Sequence, residues 1–335
     1  MPRTHTLVLA LALTGAAAID GAAARAQTPE PGGRLPAQTG WVRFEVLAGR
    51  VTATRARCGQ NRSVATGTRV DDVREVFSVD VVGAAITAHY QWCDAEQDLI
   101  VDVTGTDQLE IRREPRGDSK LPALRFTQRH DQPVVLDVGD GPERRQWSAA
   151  SLWHLALVEP NATRQGLFPI LETLRHDWGL AQTADRAIAE LARQAESSTY
   201  SPPDWNAHLD ELGSASFAQR RSATVRLTGM GPQALGYLTG ADASRLDAEQ
   251  RQSVDRIIER LQPREGDAPE WIAAWLSEDR AAWLSLLHSD DAAVRKAAAA
   301  HLARMSGRSI EFDPLASEDV RRAQITRLRS RLVAR

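Results

Sequence analysis

The chain has 335 residues, 42% of them hydrophobic, 25% charged and 5% aromatic, with a mean hydropathy of −0.36. These values exclude a polytopic membrane protein and a wholly disordered chain, and the length accommodates two domains, each with a sizeable core. Lys+Arg 41 against Asp+Glu 44 gives a net charge of −3, which offers no electrostatic footprint for nucleic acid or an anionic membrane. Lys120 and Lys296 are the only lysines. Alongside the many alanines, that bias toward arginine reads as coding bias rather than as a recognition device.

Arg3 and His5 form a polar start, Leu7 to Ala18 an apolar run, and Ala24-Arg25-Ala26 a small-x-small cleavage pattern. Residues 1–26 therefore read as a signal peptide cut after Ala26. The run is too short for a spanning helix, although an anchor that is never removed is the alternative. No cysteine follows it before Cys58, so a lipid anchor is not expected. The chain is expected to be exported, to the periplasm or beyond, with no integral membrane segment once the signal is gone.

Export places Cys58 and Cys93, the two cysteines, in an oxidising compartment. A Cys58–Cys93 disulfide is expected, stabilising by roughly 3–4 kcal/mol. The alternatives are two reduced thiols or half of a metal site. With no CxxC or CxxH in the chain, no metal and no other cofactor is expected.

Residues 27–40, with Pro29, Pro31, Gly32, Gly33 and Pro36, read as a flexible linker. Residues 41–140 read as strands. Val42, Phe44 and Val46 alternate with Arg43 and Glu45, and Leu99, Val101 and Val103 alternate with Asp98, Ile100 and Asp102. Short apolar segments recur near 76–82, 85–92, 109–112, 124–126 and 134–138, separated by turn-forming residues such as Gly105-Thr106-Asp107 and Gly139-Asp140-Gly141-Pro142. This predicts an antiparallel β-rich domain, a sandwich or an open barrel, with no strand signal after about residue 140.

Residues 141–198 read as a helical connector. Leu167, Ile170, Leu171, Leu174 and Trp178 recur at helical spacing, with Gly179 as the expected C-cap. A Ser/Pro-rich break at 196–203 leads into an all-α region, 199–335. There Val254, Ile257, Ile258 and Leu261 predict one amphipathic helix, and Ile325, Leu328 and Leu332 a terminal one. The fold class is thus α+β with segregated parts.

Ser214–Met230 lies over Ser289–Met305 without a gap. Arg220/Arg295, Ala223/Ala298, Leu227/Leu302 and Met230/Met305 are identical pairs. The shared alanines and leucines suit close helix packing, and the arginines are placed to bond carbonyls or an acidic group. Ser289-Asp290-Asp291-Ala292-Ala293-Val294-Arg295-Lys296-Ala297-Ala298, followed by Leu302, resembles the second helix of a HEAT-like repeat. The resemblance covers about residues 205–306. It implies an α-solenoid whose exposed face binds another protein, with Arg220, Ala223, Leu227, Arg295, Ala298 and Leu302 as repeat core. The combination is similar to exported bacterial proteins and carries no activity with it.

The chain contains no GxSxG, HExxH, Walker A, GxGxxG or EF-hand signature. Asp204, His208 and Glu211 share a helical face, read primarily as an N-cap with solvated neighbours. His130 and Asp131 are expected to point to opposite faces of a strand. His176-Asp177 reads as a helix end, Asp137 and Asp140 as turn residues, and Asn161-Ala162-Thr163 as a chance glycosylation sequon. Trp271 is read as either core or surface, and Trp275 as core. Arg321, Arg322, Arg327, Arg329, Arg331 and Arg335 read as the solvated face of a terminal helix.

These readings favour a non-enzymatic scaffold that binds another envelope protein through its helical-repeat surface. One alternative is an exported hydrolase or lyase with its site at the domain junction, near Trp147–His154. Such a site requires a concave pocket with ionisable groups of shifted pKa. The other is an envelope glycan-binding protein acting through the β-domain.

Overall fold

Alternation of apolar and polar residues is realised in ten strands, most of which bury one side. β1 (Val42–Leu47) and β2 (Arg50–Arg55) form a two-stranded hairpin. β3 (Arg62–Thr68), β4 (Arg74–Val82), β5 (Ala85–Cys93), β6 (Gln97–Thr104), β7 (Gln108–Pro115), β8 (Leu124–Gln128), β9 (Val134–Val138) and β10 (Arg145–Ala149) form one eight-stranded meander in unbroken chain order. The computed structural model describes residues 34–55, 62–68, 73–83, 85–197, 204–239, 241–263 and 265–333. Residues 1–26, read from the sequence as a signal peptide cut after Ala26, and Cys58 lie outside them. Cys93 on β5 carries a free thiol that accepts an N–H from Arg116. The Cys58–Cys93 bridge is an expectation from the sequence alone.

The inner face of the meander is apolar, with Phe77, Tyr90, Val101, Ile111, Phe126 and Leu136 at most 1% exposed. The outer face is a row of cross-strand ion pairs, among them His89–Asp102 at 2.7 Å and Arg125–Glu110 at 2.9 Å. β2 is fastened to the meander by the Gln128 side chain, which accepts from Val51 N (2.9 Å) and donates to Val51 O (2.8 Å). Ala53 N donates to Thr106 O at 2.7 Å.

Three boundaries differ from the sequence reading. Strands do not end near residue 140. A 3₁₀ turn at Gly141–Glu143 reverses the chain, and β10 adds an edge strand paired with β9. The segment 27–40 is not all linker, because α1 (Leu35–Thr39) plugs the sheet. Leu35 is 1% exposed, and its N–H donates to buried Glu75, which also accepts from Tyr90 Oη. Gly179 caps no C-terminus. After α2 (Leu152–Val158), a π-helix at Ala162–Leu167 and α3 (Phe168–Leu171), the chain leaves helix before Gly179, which with φ 55 instead opens α4 (Leu180–Ser197).

The remaining helices are α5 (Trp205–Leu212), α6 (Phe217–Gly229), α7 (Pro232–Thr239), α8 (Ala248–Leu261), α9 (Pro269–Leu276), α10 (Arg280–Leu286), α11 (Ala292–Ser306) and α12 (Glu318–Val333). The molecule is therefore antiparallel β followed by α. No helix among the described residues is long and apolar enough to cross a membrane. The core, however, does not divide at residue 140. Strand residues and those of α2, α3, α4 and α9–α12 share one apolar cluster, while α5–α8 form a smaller one. α4 packs against α9 and α11, so the helices do not stack in simple chain succession.

The internal repeat has a physical basis. Ala223, Leu227, Ala298 and Leu302 are each 0% exposed. Arg220 Nη1 donates to Ser214 O and Ala215 O, and Arg295 Nη1 makes the equivalent bonds to Ser289 O and Asp290 O. Arg321 repeats the device on Ala316 O, a third instance that the sequence comparison missed. Each arginine satisfies carbonyls of the turn preceding its own helix.

Buried tryptophans hold the helices together. Trp275 is 5% exposed with Trp271 packed on it, and Trp283 stacks on His301 at 4.2 Å. Burial in this stack lowers the His301 pKa from 6.5 to about 4, against a hydrogen bond to Ser277 O and helped by Arg304. The fold thus prefers neutral histidine. Stability is expected to fall as pH drops from 6.5 to about 4, by about 3 kcal/mol in all. His301→Gln keeps a donor for Ser277 O and should abolish that dependence in urea titrations across this range.

Candidate functional site

The site begins with a turn. Ala48 (φ 50) and Gly49 (φ 68) both have positive φ, making the two-residue connection that matches the twist of the β1–β2 hairpin. Gly49 is required for space as well, since a Cβ there would lie 2.5 Å from Ser151 Oγ. Ala48 pays for its unusual backbone with hydrogen bonds. The Asp267 carboxylate accepts from Ala48 N (2.8 Å), Gly49 N (2.6 Å) and Trp153 Nε1 (2.6 Å). Asp267 N in turn donates to Val46 O at 2.9 Å, and Leu152 N to Gly49 O at 2.8 Å. One carboxylate therefore ties the hairpin, α2 and the loop before α9. Burial raises the Asp267 pKa from 3.8 to about 6, with the three donors opposing it.

Beneath the turn lies a second polar set. Ser151 caps α2, and its Oγ is 2.7 Å from His154 Nδ1. His154 Nε2 is 2.7 Å from Asp279 Oδ2, while Asp279 Oδ1 caps α10 by accepting from Ala281 N and Ala282 N. Burial pushes the Asp279 carboxyl up, but His154 and the cap donors more than offset this and hold it below its ordinary value. The three groups are those of an acyl-transfer triad in series. In this conformation the serine residue is 1% exposed, and the Leu152 N–H that follows it is engaged by Gly49 O. Their hydrogen bonds join α2 to the start of α10.

Two grooves of about 350 Å³ each lie along β1. The first is floored by Pro36, Val42, Phe44 and Leu174. The second is bordered by Glu45, Val46, Trp153, Trp178, Glu265 and Asp267. Arg43, Arg175 and Asp177 form the ridge between them. Arg175 Nε lies 2.8 Å from Asp177 and its Nη1 3.7 Å from Glu45; the bond to Asp177 raises the guanidinium pKa and lowers that of the carboxyl.

The residues singled out in the sequence fall mostly elsewhere. Asp204 caps α5 by accepting from Ala207 N at 3.1 Å. His208 lies 3.9 Å from Glu211, which is also held by Arg226. The expectation that His130 and Asp131 point apart is wrong. Asp131 adopts φ 52 in a turn rather than a strand, which brings His130 Nε2 to 3.1 Å from its carboxylate. Asp137 pairs with Arg144 and Gln146, and Asp140 stands exposed before the 3₁₀ turn. Thr163 of the sequon is 0% exposed. His176 accepts the Arg34 N–H at 3.2 Å. Among the described residues, no group of three His, Cys, Asp or Glu residues is arranged to hold a metal.

Of the grooves, sequence reading anticipated only the neighbourhood of Trp147–His154. Arg43 and Glu45 were legible as the polar side of a strand. Asp267, in the polar stretch 262–267, gave no signal, because its acceptor role depends on a turn some 218 residues away. No family model, no curated protein and no solved structure matches this chain.

Proposed function

We propose that the chain is an exported, non-enzymatic module that binds another envelope protein, and that its recognition surface is the junction beside β1. The observation that supports this reading is the pair of adjoining grooves, which combine an apolar lining, the partly exposed Trp178 and a charged ridge. Such a mixture of an aromatic group and oriented charge suits a protein partner. Amine crosslinkers would report poorly, because Lys120 and Lys296 are the only lysines. A photo-crosslinking residue at position 177 or 265 in the full chain is the better probe. Capture of the same envelope protein from both positions, and none from position 110 on the outer sheet face, supports the proposal. Absence of any common partner removes it.

A second reading rests on the Ser151–His154–Asp279 series, which is compatible with an exported hydrolase. Under the binding reading, a fluorophosphonate probe leaves Ser151 unlabelled. Stoichiometric labelling that disappears in both Ser151→Ala and His154→Ala would instead establish an activated serine.

A further inference from the structure

The near-neutral charge balance of the whole chain conceals a segregation. Residues 289–335 hold ten Lys/Arg against six Asp/Glu, whereas residues 1–288 hold 31 against 38. The basic groups concentrate on α12, since residues 320–335 include six arginines and no acidic residue. On α8, by contrast, Arg251, Arg256 and Arg260 are interspersed with Glu249, Asp255 and Glu259.

Helical spacing gives α12 an inner and an outer side. Ile325 and Leu328, 2% and 4% exposed, pack into the main core. On the outer side, exposed Ala323, Thr326 and Ser330 form a line of short side chains. Arg322 and Arg329 flank it on one side, Arg327 and Arg331 on the other, and all four are exposed. Arg321 stands apart, because its guanidinium is held by Ala316 O.

The four outer arginines have little acidic company. Arg322 pairs with Glu318, and Arg331 with Glu311 at 3.6 Å, through side chains that are 62–82% exposed. Exposed pairs of this kind contribute little and exchange readily. Arg327 bonds only a carbonyl of its own helix, Ala323 O at 3.3 Å. Arg329 makes no hydrogen bond or ion pair among the described residues. The positive field reaches His288, whose pKa is lowered by burial first and then by Arg329, Arg322 and Arg321, with Glu318 opposing. Beside the arginines, Leu315 in the turn before α12 is 78% exposed, and Val320 in its first turn 47%.

We propose that α12 attaches the protein peripherally to an anionic phospholipid surface. The two arginine rows meet headgroup phosphates, and Leu315 and Val320 enter the interfacial layer beside them. Charge complementarity favours an anionic partner. Exposed apolar side chains next to the basic rows favour a lipid surface over an acidic protein. Ile325 and Leu328 remain in the core, so the helix lies on the bilayer without entering it. This surface is separate from the junction beside β1 and does not depend on the reading given to that junction.

The test is co-sedimentation of the full chain with vesicles of phosphatidylcholine, alone or mixed with phosphatidylglycerol. The zwitterionic vesicles report any binding by the apolar run at 7–18. Phosphatidylglycerol should strengthen binding, and about 0.5 M salt should reverse that gain at least tenfold. The triple variant Arg327→Gln/Arg329→Gln/Arg331→Gln should bind about a hundredfold more weakly. Arg251→Gln/Arg256→Gln/Arg260→Gln on α8 removes the same charge and should change little. Leu315→Ser should weaken binding about tenfold. Urea midpoints matching the native protein show that each variant is folded. Equal binding with and without phosphatidylglycerol, equal losses from the two triple variants, or full binding by Leu315→Ser overturns the proposal. So does a failure to bind either vesicle; an envelope protein captured by the native chain and lost with the α12 variant would then assign this face to an acidic protein.

Discussion

Asp267→Ala is expected to cost about 3 kcal/mol of unfolding free energy at pH 5, because it leaves the Ala48 and Gly49 amides and the Trp153 indole without their acceptor. The loss should depend on pH in a defined direction. Burial raises this carboxyl from 3.8 to about 6 in the fold, so the native state holds a proton that the unfolded chain releases. The stabilisation from that proton is complete below pH 3.8 and is lost as pH rises through about 6. The gap between variant and native protein should therefore narrow by about 1.4 kcal/mol between pH 5 and pH 8. Asp267→Asn retains one acceptor oxygen and cannot titrate, so it should cost less than alanine. Urea unfolding of the three proteins at both pH values checks this. A gap that widened toward pH 8 would mean that the donors, not burial, govern the carboxylate. His301 acts in the opposite sense over nearly the same range, so single-variant differences are needed to separate the two.

Gly236→Ala is the second large effect. A Cβ at Gly236 would lie 2.1 Å from the Trp275 carbonyl oxygen, and a helix backbone cannot yield as a flexible side chain can. α7 lies against α9 only because this residue has no side chain, and through that contact the α5–α8 cluster joins the main core. Alanine is the better helix former by about 1 kcal/mol, yet the collision should dominate and cost about 3 kcal/mol. The damage should be local. Hydrogen exchange is expected to rise in α5–α8 while β4–β8 keep their protection. Uniform loosening across both would mean that the two clusters unfold as one unit.

Much of the fold was legible in the sequence because it follows from short-range periodicity. Alternation at Val42-Phe44-Val46 and Leu99-Val101-Val103 needs no partner to be read, and all six side chains are buried. Ala223, Leu227, Ala298 and Leu302 were marked as core by the internal repeat and are fully buried. The failures have local causes of another kind. Gly179 follows a stretch with helical spacing, but Pro169 and the π-helix before it alter the phase, and φ 55 places the glycine at the next helix's start. β10 was missed because its burial pattern, with only Ala149 buried, is that of an exposed edge strand.

The candidate site was the least legible part. The sequence alone determined the order of β before α, the buried face of most elements and the repeated arginine device, because each is set by residues within a few positions of one another. Tertiary structure decided everything that gives the junction its character. It brought Asp267 onto the 48–49 turn, placed Asp279 against His154, and set two grooves beside β1. These relations join residues more than 100 positions apart, and a carboxylate in a loop carries no mark of the amide it will meet. Only the folded chain, by excluding water and fixing the donors, turns an ordinary aspartate into a half-buried clamp.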